Sequence, residues 1–237
     1  MRIYAAIVAG LGIFTLLAKG QNTGTVFSPD VTAGKKAAEY RIAWDPDRDT
    51  FAQRVHYQYG LLENLRLRAI LSFRSSDAES FDFRYLRLEG MVQLLEDQAA
   101  GFDSALRLEI QLADGDDPPS RFRLGWSNKV DLDEFWQLRG ILLTGHQFGA
   151  DSSDGFLLES RAQISRKWGD RYRFGVDYYG DFNDTEDIGS FDEQEHQIGP
   201  LLKFDLTDRF SGQAGILFGI SDAAADQEFR LNLITEF

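Results

Sequence analysis

Cysteine is absent from the 237 residues, and methionine (2), histidine (3) and proline (5) are scarce. No disulfide framework, thiolate metal site or cysteine nucleophile can therefore be built, and there is no proline-rich linker. A chain without cysteine also suits an oxidising compartment, where stray thiols pair wrongly. Base is outnumbered by acid, 25 to 38, for a net charge of -13, so there is no basic face for nucleic acid. Beyond residue 18 no apolar run approaches the roughly 20 residues that a spanning helix needs. Together with a negative mean hydropathy, this excludes a helical membrane protein. The length suits one sizeable domain.

The N-terminus follows an export pattern. Arg2 precedes an uncharged apolar stretch, Tyr4 to Ala18, and small residues flank a cleavage point at Ala18-Lys19-Gly20. Residues 1–20 are expected to be a signal peptide, 21–37 a periplasmic lead-in and 38–237 the folded domain.

From residue 38 apolar side chains recur at every second position in stretches of about ten, separated by polar turns. Twelve strands are expected, near 38–45, 50–60, 64–74, 81–94, 102–112, 121–128, 135–147, 156–166, 171–180, 196–206, 210–220 and 227–237. The alternation is clearest in Leu65, Leu67, Ala69, Leu71, Phe73 and in Leu106, Leu108, Ile110, Leu112, where arginine and glutamate fill the gaps. In the fourth strand the phase slips from Phe81, Phe83, Tyr85 to Leu86, Leu88, which predicts a bulge. Pro200 lies inside the tenth strand, where it cannot donate a ladder bond, and predicts another. Alternation alone leaves open which face is interior: a soluble barrel or sandwich hides the apolar set, a membrane barrel the polar one.

Strand length, an even strand count and the export signal favour the membrane case. The last strand adds to it. Phe229, Leu231, Leu233, Thr235 and Phe237 alternate to the final residue and resemble the C-terminal assembly signature of bacterial outer-membrane proteins, with Phe229, Leu231, Leu233 and Phe237 as the signal. The expected fold is all-β: an antiparallel up-and-down transmembrane β-barrel of about 12 strands in the bacterial outer membrane, both termini periplasmic. Size and an arginine-rich interior resemble the small oligogalacturonate and sialic-acid porins. Gly199-Pro200, Phe218-Gly219, Ser221-Asp222-Ala223-Ala224 and Glu236-Phe237 resemble barrels of the phenol-degradation transporter type. Neither resemblance fixes a substrate.

With the C-terminal strand ending in the periplasm, alternate connections are outer loops, near 45–50, 75–80, 113–120, 149–155, 181–195 and 221–227. These hold nineteen acids and one base, Arg48. Such a rim concentrates cations and bridges to lipopolysaccharide through divalent ions, or simply keeps the loops solvated. Among its acids, Asp181, Asp184 and Asp187 form a loose divalent site at most, because the central Gly and closing Glu of a calcium loop are missing. The lumen-facing set is expected to include Arg66, Arg68, Arg107, Glu109, Arg123, Arg139, Glu159, Arg161, Arg173 and Asp177. It suits either anionic solutes or an ion-pair lattice filling a narrow barrel.

No motif places His56, His146 or His196 beside a nucleophile, so neither catalytic residues nor a cofactor are expected. The expected function is a passive channel for small solutes. A closed structural or interaction barrel is the alternative and a lumenal or surface hydrolase the third. Lipid, lipopolysaccharide and the barrel assembly machinery are the expected partners, with divalent cations at the outer loops.

Overall fold

A computed structural model describes residues 23–76, 79–115 and 119–237. The signal peptide expected at 1–20 lies outside the described residues, as do Asp77, Asp116 and Asp117 of the acidic rim.

Twelve antiparallel strands close into one barrel: β1 (Lys36–Asp45), β2 (Thr50–Gly60), β3 (Leu65–Ser76), β4 (Glu79–Asp97), β5 (Phe102–Ala113), β6 (Ser120–Asp131), β7 (Trp136–Phe148), β8 (Phe156–Trp168), β9 (Tyr172–Asp184), β10 (Glu195–Asp205), β11 (Phe210–Gly219) and β12 (Gln227–Glu236). Each strand pairs with its sequence neighbours, and β1 pairs with β12, Tyr40 against Leu233. Closure leaves no free edge, so every strand can satisfy its backbone within the wall. At the closing seam the Phe237 amide donates to the Lys36 carbonyl at 3.1 Å, which places both ends of the wall at one rim.

Exposure shows which face is interior. Along β5, Leu108 is 66% exposed and Glu109 4%, and Arg107 and Gln111 are buried between outward-facing Leu106, Ile110 and Leu112. The apolar set thus forms the outer surface, the arrangement of a lipid-facing barrel. Aromatic residues mark both rims: Trp44 stacks on Phe51 and Phe229 near the loop end, and Trp168 packs on Phe174 near the other.

The bulge in β4 is present, since Ser72 faces Tyr85 while Phe73 faces Phe83, leaving Arg84 extra. A second, not anticipated, lies beyond Gln93, where Leu95 takes the place facing Ser104. At Pro200 the expectation fails. Pro200 stays paired with Val176 on β9, and the β10–β11 register is the same before and after it, Ile198 with Phe218 and Leu201 with Gly215. The missing donor interrupts the ladder to β11 locally without inserting a residue.

The lead-in also differs from expectation. The wall begins at Lys36, and residues 23–31 run inside the barrel. Thr23, Thr25 and Val26 are buried. The chain turns inward over β2, where the Gly34 amide donates to the Gly60 carbonyl. Only glycine fits at 60, because a Cβ there would collide with the Thr32 carbonyl oxygen.

Candidate lumenal site

The inward faces of strands between β1 and β8 carry a lattice of alternating charge. Register forces it: Glu109 lies across from Glu89 on β4 and from Arg123 on β6, with Arg107 two residues along its own strand. Its carboxylate meets Arg107 at 2.6 Å, Arg123 at 2.7 Å and Arg87 at 3.4 Å. Arg123 continues the chain to Glu159 at 2.5 Å, and Glu159 to Arg161 at 2.9 Å. Arg68 sits 3.5 Å from Glu89, and Arg41 2.7 Å from Glu39. Buried ions need this density of partners, because a lone charge away from water is costly.

All ten residues expected in the lumen point inward, but they divide into groups. Arg68, Arg107, Glu109, Arg123, Glu159 and Arg161 form the lattice. Arg66 reaches the Asp30 carbonyl and the Met91 sulfur. Arg173 donates to Ser165 Oγ and to the Phe135 carbonyl near the terminal rim. Arg139 lies opposite Gln163 and Lys129, its Nε without an acceptor. Asp177 accepts from Gln163 at 2.7 Å and from Tyr179 at 3.2 Å, away from the lattice.

Sequence reasoning missed the N-terminal plug. Its carbonyls accept from the wall: Thr23 from Arg41, Gly24 from Tyr179, Thr25 from Arg161 and Asp30 from Arg66. The Phe27 ring is surrounded by three guanidinium groups, Arg68, Arg107 and Arg41, at 4.5, 4.6 and 5.0 Å from its centre. Val26 enters an apolar cluster with Ile141, Leu143, Tyr179 and Leu217, against which Phe27 also packs. Near the terminal rim Asp30 pairs with Lys129 at 2.6 Å, and the Val31 amide donates to Gln93. Burial opposes ionisation of Asp30, but Lys129 and Ser28 bound to it hold its carboxyl below the usual range.

A sequence signal for this cluster existed. Ile141-Leu142-Leu143 and Ile216-Leu217-Phe218 break the alternation with three apolar residues in a row, as a strand buried on both faces does.

The divalent site does not form. Among the described residues no three metal-ligating side chains converge. Asp184 Oδ1 instead accepts the amides of Glu186 and Asp187, and Asp181 Oδ1 that of Asn183, so each carboxylate caps its own turn.

The histidines are dispersed. His56 lies in the lumen 3.6 Å from Glu39. His146 lies between Phe122 and Phe156, and its Nδ1 lies 3.3 Å from the Gly155 carbonyl. His196 is stacked under Phe191, between Tyr178 and Gln194. The latter two side chains share the outward face of the wall, on which Phe122, Phe156 and Ile198 are exposed.

No protein-family model and no curated protein match the chain. Solved structures do. The COG4313 outer membrane channel from Pseudomonas putida F1 superposes with a TM-score of 0.64 at 11% identity, over 90% of this chain and 98% of that one. The NanC porin gives 0.61 at 8% identity, over 84% and 100%. The KdgM porin gives 0.59 at 10%, over 85% and 99%. The chain has the 12-stranded fold of outer-membrane porins and channels.

Proposed function

We propose that this protein is a passive outer-membrane channel for small solutes, held closed in this conformation by its own residues 23–31. The carrying observation is the plug. A segment outside the sheet occupies a polar lumen and is held there by Val26, Phe27, Asp30 and a few carbonyl bonds. Such a segment can leave without disturbing the wall, whose ladder is complete around the barrel without it. The polar interior and the porin-type architecture support the same reading.

In this reading both ends of the wall face the periplasm and the acidic loops face outward, where they concentrate cations and bridge to lipopolysaccharide through divalent ions. Phe229, Leu231, Leu233 and Phe237 serve the assembly machinery. Conduction requires no catalysis, and the dispersed histidines supply none.

The density of ion pairs favours one second reading, a closed structural barrel. Planar-bilayer recording separates the two. A channel shows single-channel steps whose frequency rises when residues 23–31 are deleted; a closed cylinder stays silent in both forms.

A further inference from the structure

Between the plug and the loop end, the wall from β2 to β6 presents hydrogen-bond donors that lack acceptors. Arg54 on β2 faces Ser72 on β3, and Ser72 faces Tyr85 on β4. In the adjacent inward row Arg87 faces Gln111 on β5, and Gln111 faces Arg121 on β6. The guanidinium groups of Arg87 and Arg54 lie 5.0 and 5.6 Å from the centre of the Tyr85 ring. Arg87 donates to Gln111 Oε1 at 2.6 Å, which leaves the amide nitrogen of Gln111 as the free end.

That nitrogen, with the Nε atoms of Arg54, Arg87 and Arg121, is buried and has no partner among the described residues. Ser72, Tyr85, Arg87 and Gln111 are all more than nine-tenths buried. The nearby carboxylates are engaged elsewhere: Glu109 by Arg107 and Arg123, Glu89 by Arg68, and Glu159, the one close enough to act on Arg121, by Arg123 and Arg161. Arg87 shares weakly in both, at 3.4 and 3.9 Å. No ion pair to Arg54 or Arg121 exists among the described residues.

Unmade buried donors are costly, and so is an uncompensated cluster of guanidinium charge. Water would satisfy the donors but not the charge. We infer that this wall binds a small oxyanion, a phosphate, sulfate or carboxylate group, through Arg54, Arg121 and Gln111, with Arg87 and Tyr85 behind them. An oxyanion brings only acceptors, which matches a surface rich in donors, and its oxygens fit the planar forks of arginine. A neutral hydroxyl would bring a donor of its own, and a cation would be repelled. The site belongs to the wall, so occupancy does not depend on conduction.

The test is calorimetric titration of the folded, detergent-solubilised protein with inorganic phosphate, at ionic strength fixed with sodium chloride. One saturable site is expected, weakened at least tenfold in Arg54→Gln/Arg121→Gln. It should be unchanged in Arg166→Gln, whose side chain lies against Phe135 and Trp136. Heat-modifiable migration on a detergent gel checks the fold of each variant. Should the double glutamine variant fail to fold, Arg54→Lys/Arg121→Lys keeps the charge and loses the fork, with a several-fold loss expected. A parallel titration with glycerol phosphate asks whether the site takes a free ion or an oxyanion carried on a larger solute; binding of either supports the site. Absence of saturable binding for both, or equal affinity in the double variant, overturns it. A silent bilayer recording would count against the channel and leave this result untouched.

Discussion

Replacing Phe27 with alanine should unseat the plug while leaving the barrel intact. The ring lies about 5 Å from three guanidinium groups and packs on the Val26 cluster. Truncating a fully buried phenylalanine costs about 3–5 kcal/mol, and the partly buried Phe27 falls at the lower end of that range, about 3 kcal/mol. Each cation–π contact contributes on the order of 0.5–2 kcal/mol to that figure, toward its upper end where water is excluded. None of this supports the β-ladder, so the loss falls on the equilibrium between seated and withdrawn plug. A loss of about 3 kcal/mol raises the withdrawn-to-seated ratio roughly a hundredfold. Single-channel recording in planar bilayers reads that ratio as open probability. Wild type should open rarely, Phe27→Ala about two orders of magnitude more often or until saturation, and Phe27→Leu, which keeps burial and loses the cation–π contacts, in between. Open probability and conductance indistinguishable among wild type, Phe27→Ala and a chain lacking residues 23–31 would refute the reasoning.

Other outcomes are equally specific. Glu109→Leu takes a carboxylate from three guanidinium groups and leaves Arg107 buried without its ion pair, while Arg123 keeps Glu159 and Arg87 keeps Gln111; it should destabilise the refolded barrel by about 3 kcal/mol in urea titration, and a loss under about 1 kcal/mol would contradict it. Gly60→Ala should drive the Thr32 carbonyl off β2 and expose the lead-in to limited proteolysis, which leaves the wild-type segment uncut. Phe237→Ala should sharply reduce barrel assembly in cells while refolding normally from urea, since the side chain is exposed; equal defects in both would assign it a folding role. Glu193 accepts hydrogen bonds from the Ser190 backbone and side chain in the β9–β10 loop, which holds its carboxyl below the ordinary value. A lowered folded-state value means that this loop contact is present above the unfolded value and lost as pH falls through the folded one; carboxyl NMR should show Glu193 titrating below the ordinary glutamate value, and a midpoint at or above that value would contradict it.

The strands were legible because a lipid-facing barrel writes its two faces at period two, and in Leu106 to Leu112 nothing competes with that pattern. The β4 bulge could be read for the same reason, as one residue out of phase shows in a regular pattern. Pro200 misled because a missing donor was equated with an inserted residue, whereas local loss of bonds to one neighbour was enough. The plug was not legible. Thr23 to Asp30 has no periodicity, and its partners Arg41, Arg107, Arg161 and Tyr179 are scattered over four strands. The mark it left lies in the wall, where Ile141, Leu143 and Leu217 are apolar on a face that elsewhere carries charge. The donor-rich wall at Arg54, Gln111 and Arg121 was hidden in another way: composition shows abundant arginine, but only register shows which guanidinium groups lie beyond reach of a carboxylate.

The native chain has no cysteine, so a single introduced thiol reports on the plug directly. Val26→Cys places it inside the apolar cluster, and Ala33→Cys places a control on the exposed lead-in. Labelling of the refolded barrel with a water-soluble maleimide should modify the Ala33→Cys variant within minutes and leave the Val26→Cys variant protected until the protein is denatured. Equal labelling rates in the two variants would contradict a lumen closed by its own N-terminal segment.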